Sequence, residues 1–176
     1  MKFISNLVLT LLVLFLSQVS HAKLFRNAYL SFELPPNWNC KLEQTEWVCV
    51  NKYSQRSKEA IIILTAKEVG PSDSLPAFTA HLQRPKALTT KAGKTKMSKV
   101  YHVKQRNINN QTWIDGMHGG SEVTNYYTRY LATIKNRIAV LITFSAHVKH
   151  YTKYSNDFMK AITSLRVVAD KRILAN

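Results

Sequence analysis

Acids are scarce in this chain. Ten aspartates and glutamates stand against 25 lysines and arginines, a formal net charge of +15 over 176 residues. The acids sit mostly singly among bases, so the sequence offers no paired carboxylates for general acid/base work. Cysteine is scarcer still. Only Cys40 and Cys49 occur, their spacing is not C-x-x-C, and no further thiol exists to complete a zinc set. There is no G-x-S-x-G nucleophile elbow, no RNP-like signature, no internal repeat and no linker long enough to divide the chain. No cofactor is implied. The longest leading apolar run, Leu7 to Leu16, falls short of the ~20 residues that a bilayer-spanning helix needs.

What is present begins with a leader. MKFISNLVLTLLVLFLSQVSHA carries one lysine, Lys2, then that apolar run, then a polar patch ending Ser20-His21-Ala22, which predicts a secretory signal peptide over 1–22 cleaved after Ala22. Retention as an uncleaved anchor is the alternative. No cysteine follows the cleavage point, which argues against a lipid-anchored form. Removing 22 of the 176 residues leaves 154, the size of one domain spanning 23–176 with a substantial core. Lys2 is the only base lost, so the net charge drops by one to +14.

SFELPPNWNCKLEQTEWVCV follows. Leu30, Phe32 and Leu34 alternate with polar neighbours as a strand with one buried face, and Pro35-Pro36 stops it. Asn37 supplies a turn. Two short strands, Trp38 to Leu42 and Glu46 to Val50, then set Cys40 and Cys49 opposite each other across a hairpin. In an oxidising compartment this predicts a disulfide, worth ~2–3 kcal/mol through loop closure. The tryptophans are expected to pack over it.

Further on, the β-branched run Glu59 to Thr65 reads as a central strand buried on both faces. Leu75, Phe78 and Leu82 share a helix face, with Pro76 in the first turn and Pro85 beyond the end. Lys86 to Lys96 (KALTTKAGKTK) reads as an exposed loop. Tyr101 and Val103 alternate with His102 and Lys104 in a strand running to Asn109-Asn110, and Gln111 to Met117 returns. Glu122 to Ile134 is expected as a long strand, and Ile138, Val140, Ile142, Phe144 and Ala146 share one face of the next. Tyr151, Tyr154, Phe158, Ile162 and Leu165 mark a closing amphipathic helix, followed by a short strand from Arg166 to Val168.

This order predicts an α+β fold, a mostly antiparallel sheet with helices packed on it. The strand ending ELPPNW, the IIIL strand before a helix, the Thr/Tyr-rich meander and the close DFMKAITSLRV resemble the PsbP-like α/β/α sandwich shared with the Ran-binding Mog proteins and the periplasmic DcrB proteins. That family's P-x-G-W turn stands here as Pro35-Pro36-Asn37-Trp38, without the glycine. The resemblance implies a non-enzymatic accessory or binding role in a bacterial periplasm or exterior. It transfers no functional residues.

Three constellations carry possible chemistry. Asp115, His118 and Ser121 in IDGMHGGSE are the residue types of a secreted serine hydrolase, but three residues apart in one connection they read as turn structure. His147 and His150 could face one metal, with a third ligand from His81, His102 or His118, but solvated histidines fit better and no metal is implied. A small-molecule carrier would use Tyr126, Tyr127 and Tyr130 around an apolar cavity between sheet and helix. The charge exceeds all of these. No acid lies between Asp73 and Asp115, whereas Lys86, Lys91, Lys94, Lys96, Lys99, Lys104 and Arg106 do. Such a surface attracts anions and weakens with salt. An anionic envelope surface or an acidic protein suits an exported chain better than nucleic acid does. Membrane contact would be peripheral, or through an uncleaved leader.

Overall fold

The computed structural model describes residues 23–52, 59–90 and 93–167; the predicted leader, Lys91 and Val168 lie outside them. In chain order the strands are β1 (Lys23–Arg26), β2 (Leu30–Leu34), β3 (Trp38–Glu43), β4 (Glu46–Asn51) and β5 (Ala60–Glu68). Helix α1 (Leu75–Leu82) precedes β6 (Ala87–Thr89) and β7 (Thr95–Met97). Then come β8 (Lys99–Ile108), β9 (Gln111–Gly119), β10 (Tyr126–Lys135), β11 (Ile138–His147), helix α2 (Tyr151–Ser164) and β12 (Arg166–Val167). Seven strands form one sheet in the order β3-β4-β5-β11-β10-β9-β8, and every neighbouring pair is antiparallel. Two-residue hairpin turns need positive φ at both central residues. Asn109-Asn110 and Asn136-Arg137 supply it, with φ between 52° and 63°.

Strict alternation in β11 places Ile138, Val140, Ile142, Phe144 and Ala146, all fully buried, on the face that α2 covers. The α2 stripe of Tyr154, Phe158, Ala161 and Ile162 meets them, and the Phe144 and Phe158 rings stack 4.7 Å apart. Each such ring contributes roughly 1.5–3 kcal/mol by leaving water. Leu30, Phe32 and Leu34 of β2 close the same core, and β2 is the middle strand of a small antiparallel sheet, β1-β2-β12. Cys40 and Cys49 pair directly across β3 and β4 and are disulfide-bonded, as the alternation predicts. Trp38 is buried edge-on to Tyr154, and Trp47 packs edge-on to Phe25.

On the opposite face α1 lies over β8, β9 and β10. Ser74 Oγ caps it by accepting from the Ala77 N–H at 3.1 Å. Leu82 anchors a second, smaller core with Ile114, Tyr130 and Ala132. Gly116 of β9 permits this approach, because a Cβ there would stand 3.2 Å from Leu82 Cδ1. The fold is therefore α+β, a mostly antiparallel sheet with a helix on each face.

Four expectations change. Ile62 and Leu64 are buried, but Ile61 and Ile63 are only half-buried, because eight residues of α1 do not reach across to β5. The segment 86–96 is not a loop but holds the β6–β7 hairpin, whose strands pair by backbone while most of their side chains stay exposed. β10 starts at Tyr126 rather than Glu122, because Gly120 and Asn125 turn the chain through positive φ. An irregularity in β8 between Val100 and His102 turns Tyr101 toward Tyr127 and the α2 side, while Val103 joins the α1 core. β1, which carries the exposed Leu24, has no apolar pattern of its own and was not expected.

Candidate functional site

The β6–β7 hairpin emerges where α1 ends. Its turn is closed by Thr90, whose N–H donates to the Lys94 carbonyl at 2.9 Å and whose Oγ1 accepts from the Lys94 N–H at 3.2 Å. Lys94, Lys96 and Lys99 are exposed along the ribbon and its exit. Lys99 Nζ lies 5.1 Å from the centre of the Tyr101 ring, and Lys86 Nζ at the ribbon's base lies 5.3 Å from that of Tyr130. Lys86, Lys94, Lys96, Lys99 and Lys104 form no ion pair among the described residues. Lys86 Nζ is instead 3.2 Å from His81 Nε2. Partial burial, then the charges of Lys86 and Arg84, hold the His81 imidazole below its ordinary pKa.

A fully buried histidine holds this ribbon to the sheet. His118 Nε2–H donates to the Leu82 carbonyl at 2.8 Å, at the end of α1. That fixes the tautomer, so Nδ1 accepts from the Ser98 hydroxyl at 3.2 Å, and Ser98 Oγ in turn accepts from the Lys86 N–H at 2.8 Å. One side chain thus ties β9, the end of α1 and both legs of the hairpin's base. Burial lowers its pKa, aided by Lys86 and His81; the Leu82 carbonyl and Glu122 oppose the shift without reversing it.

Asp115 lies three residues away and on the other face. Its fully buried carboxylate accepts from Arg129 twice, Nε at 2.9 Å and Nη2 at 2.6 Å. Arg106 Nε stands 3.2 Å away and His102 Nε2 3.5 Å. Burial pushes this carboxyl up, but the Arg129 hydrogen bonds and charge, with His102 and Arg106, outweigh that and hold it below the usual range. Arg106 is therefore paired with a buried carboxylate, unlike the lysines of the ribbon. Lys104, opposite Asp115 in the β8–β9 register, stays exposed on the edge strand. The predicted cationic set divides accordingly: Lys86, Lys94, Lys96 and Lys99 gather at the ribbon, and Lys104 and Arg106 lie on the α2 side of β8.

The remaining constellations come apart. Ser121 Oγ is 2.9 Å from Tyr130 Oη, which also donates to the Glu122 carboxylate, and His118 has spent both nitrogens on Leu82 and Ser98. With Asp115 on the opposite face, the hydrolase triad is not assembled. His147 Nδ1 accepts from the Lys149 N–H, and the His147 and His150 rings are tilted with centres 6.0 Å apart. Among the described residues no group of three or more histidines, cysteines and acids could hold a metal. Tyr126 and Tyr130 do line a concavity, of about 600 Å³, floored by Ile61, Ile63 and Leu141. It lies on the half-covered sheet face beside α1, not beneath α2, and Tyr127 packs against Tyr151 on the other side. Unforeseen are the exposed Met97 and Val148, which stand with Lys96, Lys99 and Tyr101 around a shallower hollow of about 330 Å³. Their signal was faint: single apolar residues in polar connections.

No family model matches the sequence, and no curated protein matches it either. Solved structures do. Cyanobacterial PsbP (CyanoP) from Synechocystis aligns with a TM-score of 0.60 at 8% identity, over 86% of this chain and 95% of that one. The fold is that of PsbP. Within this PsbP-like group, the Ran-binding protein Mog1p of Saccharomyces cerevisiae aligns at 0.52 and 15% identity, covering 86% and 97% of the two chains. LpqN of Mycobacterium tuberculosis, involved in cell envelope biogenesis, aligns at 0.54 and 7%, covering 86% and 87%. At such identities a PsbP-like chain shares architecture with these proteins, and its site must be argued from its own residues.

Proposed function

We propose that this chain is an exported, non-catalytic accessory or binding protein, a single domain over 23–176 left after a leader is removed behind Ala22. Its lysine ribbon meets an anionic surface or an acidic protein of the envelope. One observation carries the reading: Lys86, Lys94, Lys96 and Lys99, paired with no carboxylate among the described residues, stand together on a hairpin that a buried hydrogen-bond chain fixes to the sheet. Cations with no carboxylate to neutralise them keep their field for an incoming anion, and a fixed base lowers the cost of ordering them. The disulfide suits an oxidising compartment. The PsbP-like fold, found in a Ran-binding protein and in a protein of envelope biogenesis, supports a binding role in which each member uses its own surface.

The test compares two triple variants of equal net charge. Lys94, Lys96 and Lys99 changed to Glu should lose retention on an immobilised polyanion, whereas Lys41, Lys135 and Arg166 changed to Glu should keep most of it. Equal behaviour of the two would remove the ribbon from the account.

The groove beside α1 favours a second reading, a carrier of an apolar small molecule. Ile63→Lys would abolish binding of an apolar fluorescent dye if the groove is a ligand site. Dye binding that persists unchanged would refute it.

A further inference from the structure

The large apolar residues left in water are not scattered. Among the described residues six are exposed, and three of them, Met97 (62% exposed), Tyr101 (45%) and Val148 (40%), stand together at the ribbon's end of the molecule. Met97, Tyr101 and Val148 share the hollow that Lys96 and Lys99 also line. The β9–β10 loop is held to this end by the Val148 N–H, which donates to the Asn125 carbonyl at 3.0 Å, while its Val123 lines the groove beside α1 instead. Isolated exposed apolar residues need no explanation, but a cluster within a ring of charge marks a surface that meets something.

We propose that this end of the molecule docks on an anionic lipid bilayer, with Met97 and Val148 entering the headgroup region, Tyr101 at the boundary, and Lys96, Lys99 and Lys149 on lipid phosphates. The proposal rests on the reading of the ribbon lysines as partner-facing and adds the class of partner. Three observations favour lipid. The apolar tips come from separate connections, the hairpin, the start of β8 and the turn before α2, and form one shared end rather than a pocket shaped for a particular side chain. Charge complementarity is one-sided: among the described residues Lys96, Lys99 and Lys149 are exposed without ion pairs, and no acid lines the hollow. Tyr101 lies under the Lys99 ammonium, an arrangement of aromatic body and snorkelling cation suited to the membrane interface.

The experiment is flotation of the mature chain with vesicles of phosphatidylcholine, with and without phosphatidylglycerol. Wild type should float only with the anionic vesicles. Met97→Ser with Val148→Ser removes apolar insertion alone and should weaken partitioning about tenfold, since each buried methylene adds to binding. Lys96→Gln with Lys99→Gln should weaken it about fivefold per lysine. Met97→Trp should bring an indole that brominated lipids quench. All these side chains are exposed, so an unchanged thermal midpoint certifies folding in each variant. Wild-type partitioning by the serine pair, or an unquenched indole, would overturn membrane insertion while leaving the cationic reading intact. Retention on polyanion without flotation would overturn the lipid assignment alone and point to an acidic protein. A glutamine pair that binds both vesicles and polyanion like wild type would sink both readings.

Discussion

A buried carboxylate is stable only if its surroundings supply what water did, and Asp115 is supplied by Arg129 from β10, with Arg106 and His102 from β8. Removing the main partner leaves a charge with too few hydrogen bonds. Arg129→Met should therefore cost about 3–5 kcal/mol in urea unfolding at neutral pH. The pH dependence has a definite sign. The folded carboxyl titrates below its ordinary value, so the unfolded chain takes up the proton first as acid is added. The contribution is full above about pH 4 and fades as pH falls through the folded value. Asp115→Asn should flatten that acid-side slope; an unchanged slope would show that another group governs it. The position was legible in principle. Trp113 and Asp115 share the inward side of a strand, and an acid on an inward side demands a cation from the strand beside it. The strand from Gln111 to Met117 is read from the sequence, but weighing Asp115 with His118 and Ser121 as turn structure passes over that alternation.

At the scale of elements, one-sided alternation made β2, β11 and α2 readable, because each buries a single apolar face against the same core. The Cys40–Cys49 pairing was readable for the same reason, since period two fixes which residues stand opposite. What stayed hidden follows from contacts that alternation does not encode. β6 and β7 bury almost nothing, so KALTT and TKM carry no hydrophobic signal. The extra residue at Tyr101 flips one side chain without altering composition, and the half-open face of β5 depends on how far α1 reaches. The His118 clamp joins elements separated by up to 36 residues in the chain, which no local pattern announces. It makes a prediction of its own. Because the folded imidazole titrates below its ordinary value, the unfolded or unclamped form gains the proton first as pH falls below about 6.5. A protonated Nδ1 cannot accept from Ser98 and its charge is opposed by burial, so the clamp opens more easily and the amide protection factor of Lys86 should drop as pH falls from about 6.5 toward the folded pKa. Protection of Lys86 that holds while His118 protonates, followed by NMR of its ring, would contradict the clamp.

For the whole molecule the sequence told sign and class but not arrangement. The excess of cations was plain, yet which of them stand clear of a carboxylate depended on Asp115 engaging Arg106 and on the hairpin carrying Lys94 and Lys96 outward. The PsbP-like architecture supplies a sheet with a helix on each face, and one end of it carries an anchored cationic ribbon beside exposed apolar tips. The measurement that tests this most directly is the salt dependence of binding to a linear polyanion, taken as the slope of log affinity against log salt. Counterion release predicts that Lys94, Lys96 and Lys99 changed together to Gln lower that slope by about one unit per contacting lysine. The same change at Lys41, Lys135 and Arg166 should leave it nearly unaltered. Equal slopes for the two triple variants would mean that binding reads net charge alone, and the ribbon would have no special part in it.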